Sequence, residues 1–129
     1  MIVADTSAFA AILFSEEDAL RFIEAMFERE VVVAAPSVFK LSMVHVRRRN
    51  GQPADVDALL ERTGARIVAW THEHARIASD AFLRFGKGHH AAKLNFGDCM
   101  AYALAKSLDA PLLYKGNDFA LTDIRPALA

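Results

Sequence analysis

Four short, largely apolar runs, at residues 1–4, 31–34, 66–70 and 111–114, are separated by stretches of helical length and period. Runs this short with apolar residues at successive positions suit strands covered on both faces. Parallel neighbours need crossover connections, and the intervening segments supply them as helices. The alternation therefore predicts a three-layer α/β/α fold around a mainly parallel, twisted sheet, with Ile124 opening a last edge strand.

The helical segments carry their own punctuation. Residues 8–14 are apolar at helical density, and Ser15 with Glu16, Glu17 and Asp18 reads as the cap and acidic first turn of a second helix. Its expected inner face is Leu20, Ile23, Met26 and Phe27. Pro36 opens a third helix that runs to Arg49 and stops at Asn50-Gly51. Pro53 starts a short helix closed by Gly64, and Thr71 caps another whose inner face is Ile77, Ala81, Phe82 and Phe85. His72 and His74 are expected to be solvated in its first turn. The last helix, 96–108, has Phe96, Met100, Ala103, Leu104 and Leu108 at buried spacing.

Composition narrows the function classes. With 129 residues, 53% of them hydrophobic, the chain makes one domain, 1–129, with a substantial core. No apolar run approaches the roughly 18 residues of a membrane span, and the N-terminus lacks a signal-like pattern, so a cytoplasmic protein without membrane contact is expected. The single cysteine, Cys99, excludes an intrachain disulfide and reads as a small core residue. A net charge of -1 gives no global attraction to nucleic acid, so any such partner needs a local patch or a metal. Two patches offer themselves: Arg47-Arg48-Arg49, which also suits a helix C-terminus, and the loop Gly86-Lys87-Gly88-His89-His90.

Three carboxylates arrive from distant parts of the chain. Asp5 follows the first strand, where open α/β sheets place ligands. Asp118 follows the fourth strand, and Asp98 lies in the opening turn of the last helix. Each alone has a plain account, as a cap, an Asx turn or a complement to a helix dipole. Brought to one edge they would repel one another unless a cation neutralised them. A hard divalent ion, Mg²⁺ or Mn²⁺, suits oxygen ligands and leaves room for a substrate phosphate. The matching reaction is phosphodiester hydrolysis.

Five segments in order then carry a resemblance: Ile2-Val3-Ala4-Asp5-Thr6-Ser7-Ala8, Ala35-Pro36-Ser37, Phe85-Gly86-Lys87-Gly88-His89, Leu94-Asn95-Phe96-Gly97-Asp98-Cys99, and Lys115-Gly116-Asn117-Asp118-Phe119 with Thr122-Asp123. From end to end the chain resembles the PIN-domain ribonuclease toxins of the VapC type. The resemblance implies a Mg²⁺-dependent endoribonuclease, commonly a homodimer, held inactive by a VapB antitoxin and acting on structured RNA of the tRNA or rRNA class. It makes Asp5 and Asp98 the principal metal-associated acids and Asp118 a further acid of the pocket. Thr6 or Ser7 would orient Asp5 or a metal-bound water, with Asn117 and Asp123 outside them. The antitoxin is expected on apolar surface of the early helices, around Phe9, Phe14, Phe22 and Phe27, each of which suits the core equally.

One position departs from that pattern. Where the family has a glutamate early in the helix after Ala-Pro, this chain has Lys40-Leu41-Ser42, and no other acid lies between Pro36 and Asn50. Lys40 is expected to point into the acids and partly replace the divalent ion, supplying charge without Lewis-acid activation of water. The alternative is a lysine that extends to solvent. Two functions follow: a ribonuclease toxin attenuated by Lys40, or a catalytically silent PIN-fold module that binds antitoxin or RNA. A phosphoacceptor signalling domain would need paired acids after the first strand, and only Asp5 stands there.

Overall fold

A computed structural model describes residues 1–128; Ala129, the end of the expected single domain, lies outside the described residues. Strands β1 (Ile2–Ala4), β2 (Val31–Ala34), β3 (Arg66–Val68) and β4 (Leu112–Leu113) form one parallel sheet in the order β3-β2-β1-β4. Six helices connect and cover it: α1 (Thr6–Leu13), α2 (Ala19–Glu28), α3 (Ala35–Arg49), α4 (Pro53–Thr63), α5 (His72–Phe85) and α6 (Phe96–Ser107). The three-layer expectation holds.

The two-residue period of the strands divides the core. Ile2, Ala4, Val31 and Val33 face one cluster with Phe9, Phe14, Phe22, Met26, Leu41 and Leu60, under α1 to α4. Val3, Val32 and Ala34 face the other, with Leu94, Cys99, Tyr102 and Leu104 under α5 and α6. Central strands with no polar face are thereby buried on both sides, while the edge strand β3 leaves Ile67 exposed.

Several expected boundaries and faces differ. Ser15 closes α1 instead of capping α2: it adopts a left-handed conformation, φ 51°, and the Glu16 N–H donates back to Ala11 C=O at 2.8 Å. Glu16, Glu17 and Asp18 therefore form a connecting turn, and α2 begins at Ala19. Its inner face is Phe22, Ala25 and Met26, so Leu20 and Phe27 point outward. Phe96 and Phe82 are exposed as well. Ile124 forms no strand; a single parallel bridge joins Leu112 to Pro126. His74 is buried, not solvated: its Nδ1 accepts from Thr71 N–H at 3.1 Å, and Nε2, the nitrogen left to donate, meets Ser107 Oγ at 3.1 Å.

Of the aromatics expected to face an antitoxin, Phe9, Phe14 and Phe22 belong to the core and only Phe27 stands free, 74% exposed. Phe9→Ala should lower unfolding stability by about 3–5 kcal/mol, the usual cost of emptying a buried phenyl site, whereas Phe27→Ala should change it by under about 0.5 kcal/mol. Urea titrations of the two variants check this, and equal losses would contradict the assigned faces.

Candidate active site

Parallel pairing of β1 with β4 brings two strand ends together. The Asp5 N–H donates to Leu113 C=O at 2.9 Å, so the residue after β1 and the loop after β4 leave the sheet side by side. The start of α6 reaches the same end. A cleft of about 220 Å³ results, lined by Asp5, Thr6, Ser7, Lys40, Val44, Asp98, Lys115, Asp118 and Phe119 among others.

Asp5 is 3% exposed and caps α1. Its Oδ2 accepts from Ser7 N–H at 3.0 Å and from Ser7 Oγ–H at 2.6 Å, while Oδ1 is buried with no partner. Ser7 Oγ accepts in turn from the Lys115 N–H at 3.0 Å, tying the β4 loop to the cap. Thr6 turns away, its Oγ1 donating to Ser37 C=O on α3 at 3.1 Å, so Ser7 alone orients Asp5.

Asp98 is held by the turn that starts its helix. Asn95 Oδ1 accepts from Asp98 N–H at 2.9 Å, and Asp98 Oδ2 accepts from Asn95 N–H at 3.1 Å. Its other oxygen takes no hydrogen bond among the described residues. Burial lifts the Asp98 carboxyl above its ordinary value; the Asn95 N–H pulls it back, Asp5 and Asp118 push it up, and Lys40 pulls it down. Asp118 is exposed at the mouth.

Lys40 reaches the cleft from α3. A methyl group built on Gly97 would lie 2.5 Å from Lys40 Nζ, so the glycine beside Asp98 leaves the space that the ammonium occupies. No carboxylate comes within 4 Å of that nitrogen among the described residues. Lys40 thus lines the cleft beside Gly97 without closing on any of its acids.

Two expected members fall elsewhere. Asn117 lines a neighbouring depression with Asp18, Arg21 and Tyr114. Asp123 is a correction to the expected set: it accepts from Tyr102 Oη–H at 2.6 Å and pairs with Lys106 at 3.0 Å and Arg84 at 3.3 Å, outside the acidic cleft. Burial alone would raise its carboxyl, but the Tyr102 hydroxyl and the Lys106 ammonium outweigh burial and hold it low. Lys115 is the member that sequence reasoning missed. It stands one residue beyond Tyr114 at the end of the β4 run, the position that marked Asp5 after β1, and pairs with Glu16 at 2.9 Å and Asp18 at 3.2 Å. Hydrogen bonds to both acids keep its ammonium charged to higher pH than usual.

The donor set fits a hard cation with an open shell. Asp5 Oδ1 is a buried acceptor without a partner, and Asp98 is disfavoured as an anion by its surroundings. Among the described residues no three His, Cys, Asp or Glu side chains are gathered tightly enough to hold a metal unaided. One or two carboxylates plus a substrate phosphate is the usual arrangement for Mg²⁺. His89 and His90 do not line this cleft: they pack at right angles to Phe82 and Phe85, and His90 Nδ1 accepts from Ala92 N–H. Cys99 is core, its thiol pushed up to about 11 by burial and by Asp98.

A small parallel α/β/α domain with acids gathered at one sheet edge defines the class, and the PIN domain family model matches residues 2–124. A Ribonuclease VapC of Mycolicibacterium smegmatis is 39% identical over 95% of this chain and 97% of its own length. Ribonuclease VapC30 of Mycobacterium tuberculosis is 38% identical, covering 95% of each. The crystal structure of Mycobacterium tuberculosis VapC20, a sarcin-ricin loop cleaving toxin, superposes with a TM-score of 0.75 at 20% identity over 98% of this chain and all of that one, and so shares the fold. The chain belongs to the VapC family of PIN-domain proteins.

A pH dependence follows from Asp98. Its carboxyl titrates higher in the folded than in the unfolded chain, so ionising it costs stability, a cost absent below the ordinary carboxylate range of about 4 and growing as pH rises through the folded value. In chelator-treated buffer, Asp98→Asn should melt higher than the parent chain at pH 7, with the difference vanishing near pH 3. A variant that melts lower at pH 7 would contradict the assignment.

Proposed function

We propose that this chain is the toxin of a toxin–antitoxin pair: a single-domain, cytoplasmic endoribonuclease that hydrolyses phosphodiester bonds of structured RNA with Mg²⁺ or Mn²⁺ and is attenuated by Lys40. The observation that carries the reading is the convergence of Asp5, Asp98 and Asp118 on one cleft, in a chain whose relatives are named ribonucleases. Asp5 Oδ1 and the unbonded oxygen of Asp98 would hold the ion, with Asp118 at the mouth. When bound, such an ion lowers the pKa of a water and stabilises charge on phosphoryl oxygens. Ser7 keeps Asp5 Oδ2 occupied, so that Oδ1, buried and without a partner, is the oxygen left to take a cation.

Lys40 alters the charge balance of that cleft. An ammonium among three carboxylates neutralises part of their repulsion and holds a phosphate oxygen electrostatically, yet it cannot activate water as a Lewis acid. It also weakens the field that draws a divalent ion inward. The same placement beside Gly97 favours a second reading, a silent module that binds antitoxin or RNA without cutting.

The partners follow the same reading. Leu20 and Phe27, exposed on α2, are apolar surface for a VapB-type antitoxin. Phe39, Met43, Phe82, Leu83 and Phe96 form exposed apolar surface on α3, α5 and α6 that pairing of two copies would cover.

Cleavage of a mixed RNA pool with Mn²⁺ tests the proposal. Lys40→Glu should cut at least tenfold faster than the chain as it stands, the scale of one altered charge contact in a site of this kind, and Asp98→Asn should not cut. Equal rates for Lys40→Glu and the parent chain would remove the attenuation. No cleavage by either would favour the silent module.

A further inference from the structure

The acidic cleft poses a problem for its own substrate. Asp5, Asp98 and Asp118 repel a polyanion, and a net charge of -1 supplies no long-range attraction. RNA backbone flanking the reacting group therefore needs cations close to the cleft but outside it.

The face of α3 that lines the cleft continues into such cations. Lys40 and Val44 line it, and Arg48 follows at the same four-residue spacing, about 6 Å further along the axis than Val44. Arg48 is placed by two contacts: its Cζ lies 4.3 Å from the Phe14 ring centroid, and its Nη2 lies 3.8 Å from Glu16 Oε2. The other oxygen of Glu16 holds Lys115 Nζ at 2.9 Å, and Lys115 lines the cleft. One carboxylate thus ties Arg48 to the cleft rim.

Arg49 lies over the same ring, its Cζ 5.2 Å from the centroid. It has no carboxylate within 4 Å among the described residues, although it is one residue from Arg48 in an exposed segment. A helix C-terminus accounts for a cation in the last turn. It does not account for two guanidinium groups gathered on one phenyl ring beside the cleft, one of them without a counter-ion. Guanidinium groups suit phosphate because their planar donors meet two oxygens at once.

We propose that Arg48 and Arg49, seated on Phe14, form a phosphate-binding site for the RNA backbone adjoining the cleft. The site rests on the ribonuclease reading above and adds to it where the substrate strand runs: from the acids past Val44 and Lys115 and along the end of α3. Phosphate contacts of this kind position a strand without reading its bases.

The test is binding of a bulk transfer-RNA pool in EDTA, followed by fluorescence anisotropy from 0.05 to 0.5 M salt. Losing two phosphate contacts should reduce the slope of log K against log salt by about 1.4 and weaken binding about 25-fold at 0.1 M salt. Arg48→Ala with Arg49→Ala should show both changes. Arg48→Lys with Arg49→Lys, which keeps the charges, should retain most of the slope. Arg66→Ala with Arg76→Ala, removing two charges from β3 and α5, should leave it within about 0.3 of the parent value. An unchanged slope in the double alanine variant overturns the site while leaving the ribonuclease reading in place. So does an equal loss in the Arg66 and Arg76 pair, which would mean diffuse attraction. If the parent chain binds no RNA in EDTA, the site is overturned, while the ribonuclease reading still stands or falls on the cleavage assay with Mn²⁺. If the two arginines are needed only for binding poly-aspartate, the surface serves an acidic protein partner and the proposal is overturned.

Discussion

Like charge gathered at one end of a parallel sheet is the constraint on which the rest of the structure depends. Asp5 is almost fully buried with one oxygen unpartnered, and burial and its acidic neighbours make Asp98 reluctant to ionise. Such an arrangement costs stability unless positive charge enters it. The surroundings supply some of that charge. Lys40 occupies the space left by Gly97, and Lys115 stands at the rim, anchored on Glu16 and Asp18.

The scaffold explains why the strain persists. Asp5 is at once the cap of α1 and the residue after the most buried strand, and its backbone is paired to β4. Asp98 is at once a member of a capping pair and a wall of the cleft. Removing either side chain to relieve repulsion would also loosen a helix start. Ser7 joins the two strand ends through a hydroxyl that donates to Asp5 and accepts from the Lys115 N–H. Rigid elements thus hold a site that is electrostatically unfavourable when empty of cations.

Much of this was legible in the residues. Strands buried on both faces show as unbroken apolar runs, and the acids after β1 and β4 follow from parallel topology once those runs are placed. What was not legible depends on contacts between distant segments. Apolar spacing marks a helix but cannot tell core from exposed patch, so Phe96, Phe82 and Phe27 share the core-facing spacing and yet lie at the surface. Ser15 followed by acids reads as a helix start, yet its left-handed backbone closes the preceding helix. Asp123 lies near Asp118 in sequence, but the Tyr102 hydroxyl and two cations draw it to a different surface. Lys115 acts through both its backbone and its ammonium, and no local motif announces that.

Titration of the Asp98 carboxyl by carbon-13 NMR, in EDTA, for the parent chain and for Lys40→Met, tests the central claim most directly. If the Lys40 ammonium lies among the three acids, removing its charge leaves Asp98 facing Asp5 and Asp118 with less relief, and its midpoint moves further up. An unchanged midpoint would place Lys40 in solvent and contradict the account.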